Sequence, residues 1–336
     1  MASSPAPLTE EEKAFFLAHG YLKLTNCFTR EQAASITDGV WTRLGMSPTD
    51  KRTWSRERTN MPSHRTFSCA AFAPKAWAAI CELCGGEDRV NLESDLWRDS
   101  LIVNLGTEEN EGSPVPPKEL GGWHVDGDFF VHYLDSPEQA LLVIPLFTDI
   151  VSEGGGTMIC PKAIENVAKQ LYEHPEGVSP RMVPRGHPDF PMGKERNLQW
   201  YCDVVQSCND GDFVEATGNV GDVYLLHPLM LHSATSNARR DVRIITNPPV
   251  SINKPFCFDR EEGGEYSLVE RKTMNAVGGE DMLKGWRMTG KRERLVPERV
   301  RIQEAMKREE MRRMEEEQKE KQRQEHGLGK IAAAAA

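Results

Sequence analysis

Four side chains in this 336-residue sequence have the types and spacing for metal-centred oxidation chemistry. His124 and Asp126 lie two apart in the stretch GGWHVDGD, residues 121–128, between the apolar runs 101–105 and 141–147. In an extended strand, residues i and i+2 project from one face, which sets an imidazole nitrogen beside a carboxylate oxygen. Two ligands do not make a site, and a third is needed. The apolar run that follows Gly221 and Asp222 ends in His232. Two histidines and one carboxylate on one face of an octahedron leave the other face open, the ligand set of non-haem Fe(II) oxygenases. Arg243 follows eleven residues later in the apolar run 242–245. A hairpin whose turn is centred on Asn237 and Ala238 would place His232 and Arg243 opposite each other, with Cβ atoms roughly 4.5–5.5 Å apart. A buried guanidinium there is suited to a dicarboxylate co-substrate, because its planar fork grips a carboxylate through two parallel hydrogen bonds.

The order His-x-Asp, a distant His, then Arg about eleven residues on resembles the Fe(II)/2-oxoglutarate-dependent oxygenases, in particular the phytanoyl-CoA dioxygenase-like superfamily. Residues 8–29 are similar to that family's opening helix, short strand and second helix; EGGGTMICP at 153–161 resembles its turn and strand after the first metal motif; residues 221–232 resemble the strand that delivers the last ligand. The likeness spans roughly residues 8–255. It departs at 162–164, where Lys-Ala-Ile stands in place of the usual Gly-Ser-His, and at Ala234, where the family often has a hydroxyl.

The resemblance implies a double-stranded β-helix, or jelly-roll, with helices packed outside: a mainly β chain of the α+β class. It implies Fe(II) on His124, Asp126 and His232, 2-oxoglutarate with its far carboxylate on Arg243, and O2 as oxidant. Thr157 and Asn104, on flanking strands, are candidate hydrogen-bond partners of the co-substrate. The reaction expected is hydroxylation of an unactivated C–H in a small organic or lipid-like molecule. Asp126 speaks against halogenation, since related halogenases lack that ligand to make room for halide. A protein or peptide hydroxylase, and a non-catalytic metal-binding jelly-roll acting as an interaction module, are the alternatives.

Several elements must position these groups. Thr9 with Glu12, and Thr29 with Gln32, have the spacing of capping boxes and predict two N-terminal helices. Residues 76–85 read as a helix stopped by glycine, with Cys81 and Cys84 on one core face; residues 164–172 also have helical spacing. The segment 45–68 lacks a period and reads as a loop near the mouth of the site, and 107–117 is a turn-rich insertion. Residues 173–196, rich in proline and glycine, are expected to form a lid or a surface loop. Residues 198–226 are expected to supply the remaining strands. His227 falls on the strand face opposite His232 and reads as a packed histidine, Asp128 as a rim residue, and His132, Asp135, Arg239 and Arg240 as turn polar groups.

Charge and composition narrow the function. The net charge is −10, and residues 291–326 hold 12 Lys/Arg against 10 Asp/Glu, so the acidity sits in the body. An acidic body disfavours nucleic acid, whose binding rests on basic phosphate contacts. The eight cysteines are mostly scattered singly, as expected of thiols in a reducing compartment. No apolar run approaches the roughly 20 residues of a membrane span, the N-terminus does not read as a signal peptide, and no C-terminal peroxisomal signal is seen; a cytoplasmic protein is expected. Residues 1–290 are expected to form the oxygenase domain and 291–336 a charged helical tail. Within the tail, 297–325 reads as a long solvated helix held by its own ion pairs, with at most weak partner contact.

Overall fold

The computed structural model describes residues 8–191, 197–261, 264–297 and 299–334. Both N-terminal capping boxes form. The Thr9 hydroxyl accepts from the Glu12 N–H at 3.1 Å while the Glu12 carboxylate accepts from the Thr9 N–H at 2.8 Å, starting α1 (Glu10–His19). Gly20, at φ 73°, stops that helix in the left-handed conformation and turns the chain into β1 (Tyr21–Leu24). Thr29 and Gln32 repeat the device for α2 (Arg30–Thr37). After α3 (Val40–Leu44), the segment expected as a loop yields two short strands, β2 (Arg58–Asn60) and β3 (Thr66–Ser68).

Next come α4 (Cys69–Phe72) and α5 (Pro74–Cys84), the latter ended by Gly85 with Cys81 and Cys84 buried. Strands β4 (Leu96–Arg98), β5 (Ile102–Asn104), β6 (Leu141–Pro145) and β7 (Thr157–Cys160) precede α6 (Ile164–Glu173). Then follow α7 (Gln199–Gln206), β8 (Val214–Ala216), β9 (Val223–Leu226), β10 (Leu231–Ala234), β11 (Arg243–Ile245) and β12 (Pro249–Val250). The chain closes with α8 (Leu268–Val277), α9 (Glu280–Leu283) and α10 (Arg299–Ala334).

All strand pairings are antiparallel: β1-β9-β6-β12, β10-β7-β8, β11-β5-β2 and the pair β3-β4. Strands β6 and β9 are buried at every position, a continuous apolar reading in which each Leu, Val or Ile withdrawn from water contributes roughly 1.5–3 kcal/mol. The helices α1, α5, α6 and α8 bury Phe16, Ile80, Val167 and Val269 against the same core. Helical residues outnumber strand residues, so the chain is a mixed α+β protein and not a mainly β one.

Two expectations about the strands are corrected. Strands β10 and β11 do not form a hairpin: His232 faces Ile159 on β7, and Arg243 faces Asn104 on β5. The link between them turns a corner from one sheet to another, tied by Thr235 Oγ1 donating to Gly156 O at 2.8 Å and Asn237 Nδ2 donating to Asn104 O at 3.0 Å. Residues 199–206, expected as strand, form α7, whose Tyr201 and Val205 share a buried face at helical spacing. Helices α8 and α9 lie beyond the family-like region and were not expected. Of the loop at 173–196, residues 192–196 lie outside the described residues.

The C-terminal helix is not merely solvated. Residues 289–297 run across the segment after Asp126: the Val131 N–H donates to Glu293 O at 2.9 Å, the Leu295 N–H to Phe129 O at 2.8 Å and Tyr133 OH to Lys291 O at 2.7 Å. Helix α10 then docks on α3 through Glu310, which is 2% exposed and accepts from Arg43 Nε at 2.9 Å, with His64 Nε2 at the same distance. Arg43 also reaches the buried Asp99 at 3.1 Å. The expected i,i+4 pairs are present, Arg312 with Glu316 on the outer face and Lys321 with Glu317 nearer α3. The helix runs past the expected 325 and continues to Ala334.

Candidate metal centre

His124 and His232 are brought together by backbone before side chains. Their main chains exchange two hydrogen bonds, each 3.0 Å, in an isolated antiparallel bridge, and their rings lie 4.3 Å apart. Each ring is turned by its Nδ1: that of His124 lies 2.7 Å from Gly122 O, that of His232 3.1 Å from Met230 O. A carbonyl can only accept, so each Nδ1 carries the proton and each Nε2 keeps its lone pair for the site. Asp126 Oδ1 sits 3.4 Å from His124 Nε2 and 3.6 Å from His232 Nε2. Among the described residues these three are the one His/Cys/Asp/Glu group whose ligand atoms converge, all within 4.8 Å of one another.

The electrostatics suit a cation. Burial alone would raise the Asp126 carboxyl, but the two imidazoles that face it, His124 and His232, outweigh it and hold the group well below the usual carboxylate range. Asn247 Nδ2 donates to the other oxygen, Oδ2, at 3.2 Å and fixes the carboxylate plane. Trp123, fully buried, packs behind the motif against Phe213. Gly127 has φ 114°, and a Cβ there would meet the Phe130 ring at 2.5 Å, so the chain can leave the motif only through glycine.

The rest of the predicted site lies on the neighbouring strands β7, β11 and β5. Thr157 sits on β7 two residues from Ile159, the partner of His232, and so shares the His232 face. Arg243 reaches it from the other sheet, Nη2 donating to Thr157 Oγ1 at 2.8 Å. Arg243 is 2% exposed, and its Nε and Nη1 are buried without a hydrogen-bond partner among the described residues. Burial, and then the neighbouring Arg58, pushes the guanidinium down to about 9, so it remains charged at neutral pH. A buried charge with two unpartnered donors is costly unless an anion meets it. Asn104 is placed beside Arg243 but spends its amide on Thr235 O at 3.0 Å and on the Gly106 N–H at 3.2 Å.

Other singled-out residues fall elsewhere. His227 is packed in the core, its Nε2 3.0 Å from Thr273 Oγ1, and His132 stacks on Phe130. Asp135 pairs with Arg292 at 2.8 Å, and Asp128 is gripped by Arg299. Surface hollows of about 560 Å³ beside α6 and about 670 Å³ beside α2 contain none of the metal-site residues. Asn247, Arg58 and Arg299 were missed in the sequence. Asn247 alone had a signal, since it lies four residues beyond Arg243 and can share its face if the extended chain continues.

No family model matches the chain, and no curated protein matches it. Among solved structures it is similar to SnoN, a non-haem alpha-ketoglutarate-dependent epimerase from nogalamycin biosynthesis, at 15% identity over 72% of this chain and 80% of that one, with a TM-score of 0.35. It is similar to HygX from Streptomyces hygroscopicus, solved with nickel, 2-oxoglutarate and hygromycin B, at 13% identity over 81% and 95% of the two chains, TM-score 0.40. EvdO2 from Micromonospora carbonacea var. aurantiaca matches at 12% identity over 79% and 97%, TM-score 0.40. At such superpositions the functional reading rests on the geometry of the site.

Proposed function

We propose that this protein is a non-haem Fe(II)- and 2-oxoglutarate-dependent dioxygenase that oxidises an unactivated C–H of a small organic or lipid-like molecule, on a double-stranded β-helix core. One observation carries the reading: two imidazoles and a carboxylate converge on a point, and on the same wall Thr157 holds a buried guanidinium with two donors unspent. The donor set fits Fe(II), and the spare donors fit the far carboxylate of 2-oxoglutarate. Bound there, iron and co-substrate with O2 would supply the oxidising chemistry, with 2-oxoglutarate leaving as succinate and CO2.

The protein's own contribution is orientation and charge. The carbonyls of Gly122 and Met230 fix both histidine tautomers, and Asn247 holds the carboxylate, so the ligands are set before a metal arrives. Arg243, anchored by Thr157, sets the depth of the co-substrate. Of these groups, none needs to act as a strong base.

The test is metal stoichiometry with product release. The purified chain is expected to bind one Fe(II) and, in air with 2-oxoglutarate, to release succinate slowly even without its substrate. His232→Ala is expected to lose both. Succinate release that persists without iron, or iron binding that survives in His232→Ala and Asp126→Ala, would refute the assignment. No helix among the described residues is long and apolar enough to cross a membrane.

A further inference from the structure

Arg58 stands in a row with the site. On the sheet β11-β5-β2 it faces Asn104, which in turn faces Arg243, so the three side chains project from one face. Asn104 points inward, to Thr235 O, and this fixes which face that is. Two strand spacings of roughly 4.8 Å separate the Arg58 and Arg243 backbones by about 10 Å, within reach of two long side chains turned toward each other. Arg58 is exposed, and its guanidinium makes no hydrogen bond or ion pair with the described residues.

Two guanidiniums on one face of a sheet repel, and Arg243 registers that charge. The acid near them, Glu215, is already engaged, accepting from the Glu153 N–H at 3.0 Å and the Gly156 N–H at 3.1 Å. The body of the chain is acidic, so a free arginine on this inner face is not part of a general basic surface. An anion seated on the spare donors of Arg243 would lie between the two cations and relieve the repulsion.

We infer that Arg58 is a second arginine for the co-substrate's far carboxylate, swinging onto it from the rim of the sheet as it settles on Arg243. This rests on the reading of the site as a 2-oxoglutarate site. The geometry separates the roles: Arg243, buried and anchored by Thr157, fixes the carboxylate's position, whereas Arg58, exposed and unanchored, closes over it and slows its departure.

The experiment measures anaerobic binding, not turnover. Calorimetric titration of the Fe(II)-loaded full chain would compare 2-oxoglutarate with 2-oxopentanoate, which keeps the chelating end but carries a methyl in place of the far carboxylate. Arg58→Gln is expected to weaken 2-oxoglutarate about tenfold, the scale of one charge-assisted hydrogen bond, and to leave 2-oxopentanoate unchanged. Arg58→Lys is expected to recover part of the loss, which shows that the fold survives the substitution. If Arg58→Gln leaves 2-oxoglutarate affinity intact while Arg243→Gln weakens it, the role of Arg58 is overturned and the site reading stands. If both ligands weaken equally in Arg58→Gln, the effect is not on the far carboxylate and the inference is again overturned. Failure of the wild-type chain to bind either ligand overturns the site reading and this inference together.

Discussion

Arg299 grips Asp128 through both arms of its guanidinium, Nε to Oδ2 at 2.6 Å and Nη2 to Oδ1 at 2.7 Å. Asp128 is two residues past Asp126 of the candidate metal centre, and Arg299 is the first residue of α10, so the C-terminal helix begins beside that centre. Together with the backbone bonds from 293 and 295, this pair straps the segment that follows Asp126. Both side chains are about half exposed, so the pair itself contributes little to stability, about 1 kcal/mol or less. Arg299→Ala is therefore expected to leave the urea midpoint nearly unchanged but to weaken Fe(II) binding by a few-fold through a looser Asp126. Iron affinity equal to wild type would show that the strap does not support the site.

Glu310 behaves differently because it is buried. It answers Arg43, which is also held by Asp99 and by Pro62 O at 2.6 Å. Arg43 keeps Asp99 when Glu310 is removed, so the loss is that of one buried charge-assisted hydrogen bond and the donor it leaves unmet, roughly 1–3 kcal/mol. Glu310→Ala is expected to lower stability by that order in urea unfolding, while Glu316→Ala, on the solvent face of the same helix, changes it by less than about 0.5 kcal/mol. Equal effects would mean that α10 is not docked. The same contacts predict that residues 1–290 alone are markedly less stable than the full chain.

Arg243→Gln removes the charge that faces the co-substrate. With two charge-assisted hydrogen bonds lost, 2-oxoglutarate affinity is expected to fall on the order of 100-fold, with Fe(II) affinity retained. Thr157→Val keeps the charge but frees Arg243 from its anchor, and a smaller loss, about tenfold, is expected. A Thr157→Val loss as large as that of Arg243→Gln would point to direct contact between Thr157 and the co-substrate.

His227 supplies a pH dependence away from the metal. Burial, reinforced by Lys272, pushes its pKa down to about 3, whereas an imidazole in the unfolded chain titrates near 6.5. As pH falls, the unfolded state takes up the proton first. The stabilisation is thus complete above about pH 6.5 and is lost progressively down to about pH 3. Between pH 7 and pH 5 this amounts to about 2 kcal/mol. Urea unfolding at the two pH values is expected to show the drop in the wild type and a smaller one in His227→Gln. The same drop in both would place the acid sensitivity elsewhere.

The convergence of His124, Asp126 and His232 was legible in the sequence because each lies beside a short apolar run and a two-residue spacing fixes the face of His124 and Asp126. The route to Arg243 was not legible. Sequence distance suggested a hairpin, but Thr235 and Asn237 bond to neighbouring strands and carry the chain into another sheet. The cation still reaches Thr157 because the two sheets face each other there. Helix α7 was misread since its buried face is only Tyr201 and Val205, too few positions to separate helix from strand periodicity. The docking of α10 was hidden because its buried contact is a single glutamate among many exposed ones, and nothing in a charge run marks which member is buried. Arg58 was missed for a similar reason, its strand being three residues long.

In the proposed function, His124, Asp126 and His232 hold iron while Arg243 seats 2-oxoglutarate. Anaerobic addition of Fe(II) and then 2-oxoglutarate, followed by visible absorption, tests it most directly. A weak charge-transfer band that needs both additions, vanishes in His232→Ala and demands far more co-substrate in Arg243→Gln is the predicted result. A folded wild-type protein that binds iron yet develops no band at saturating 2-oxoglutarate would contradict it.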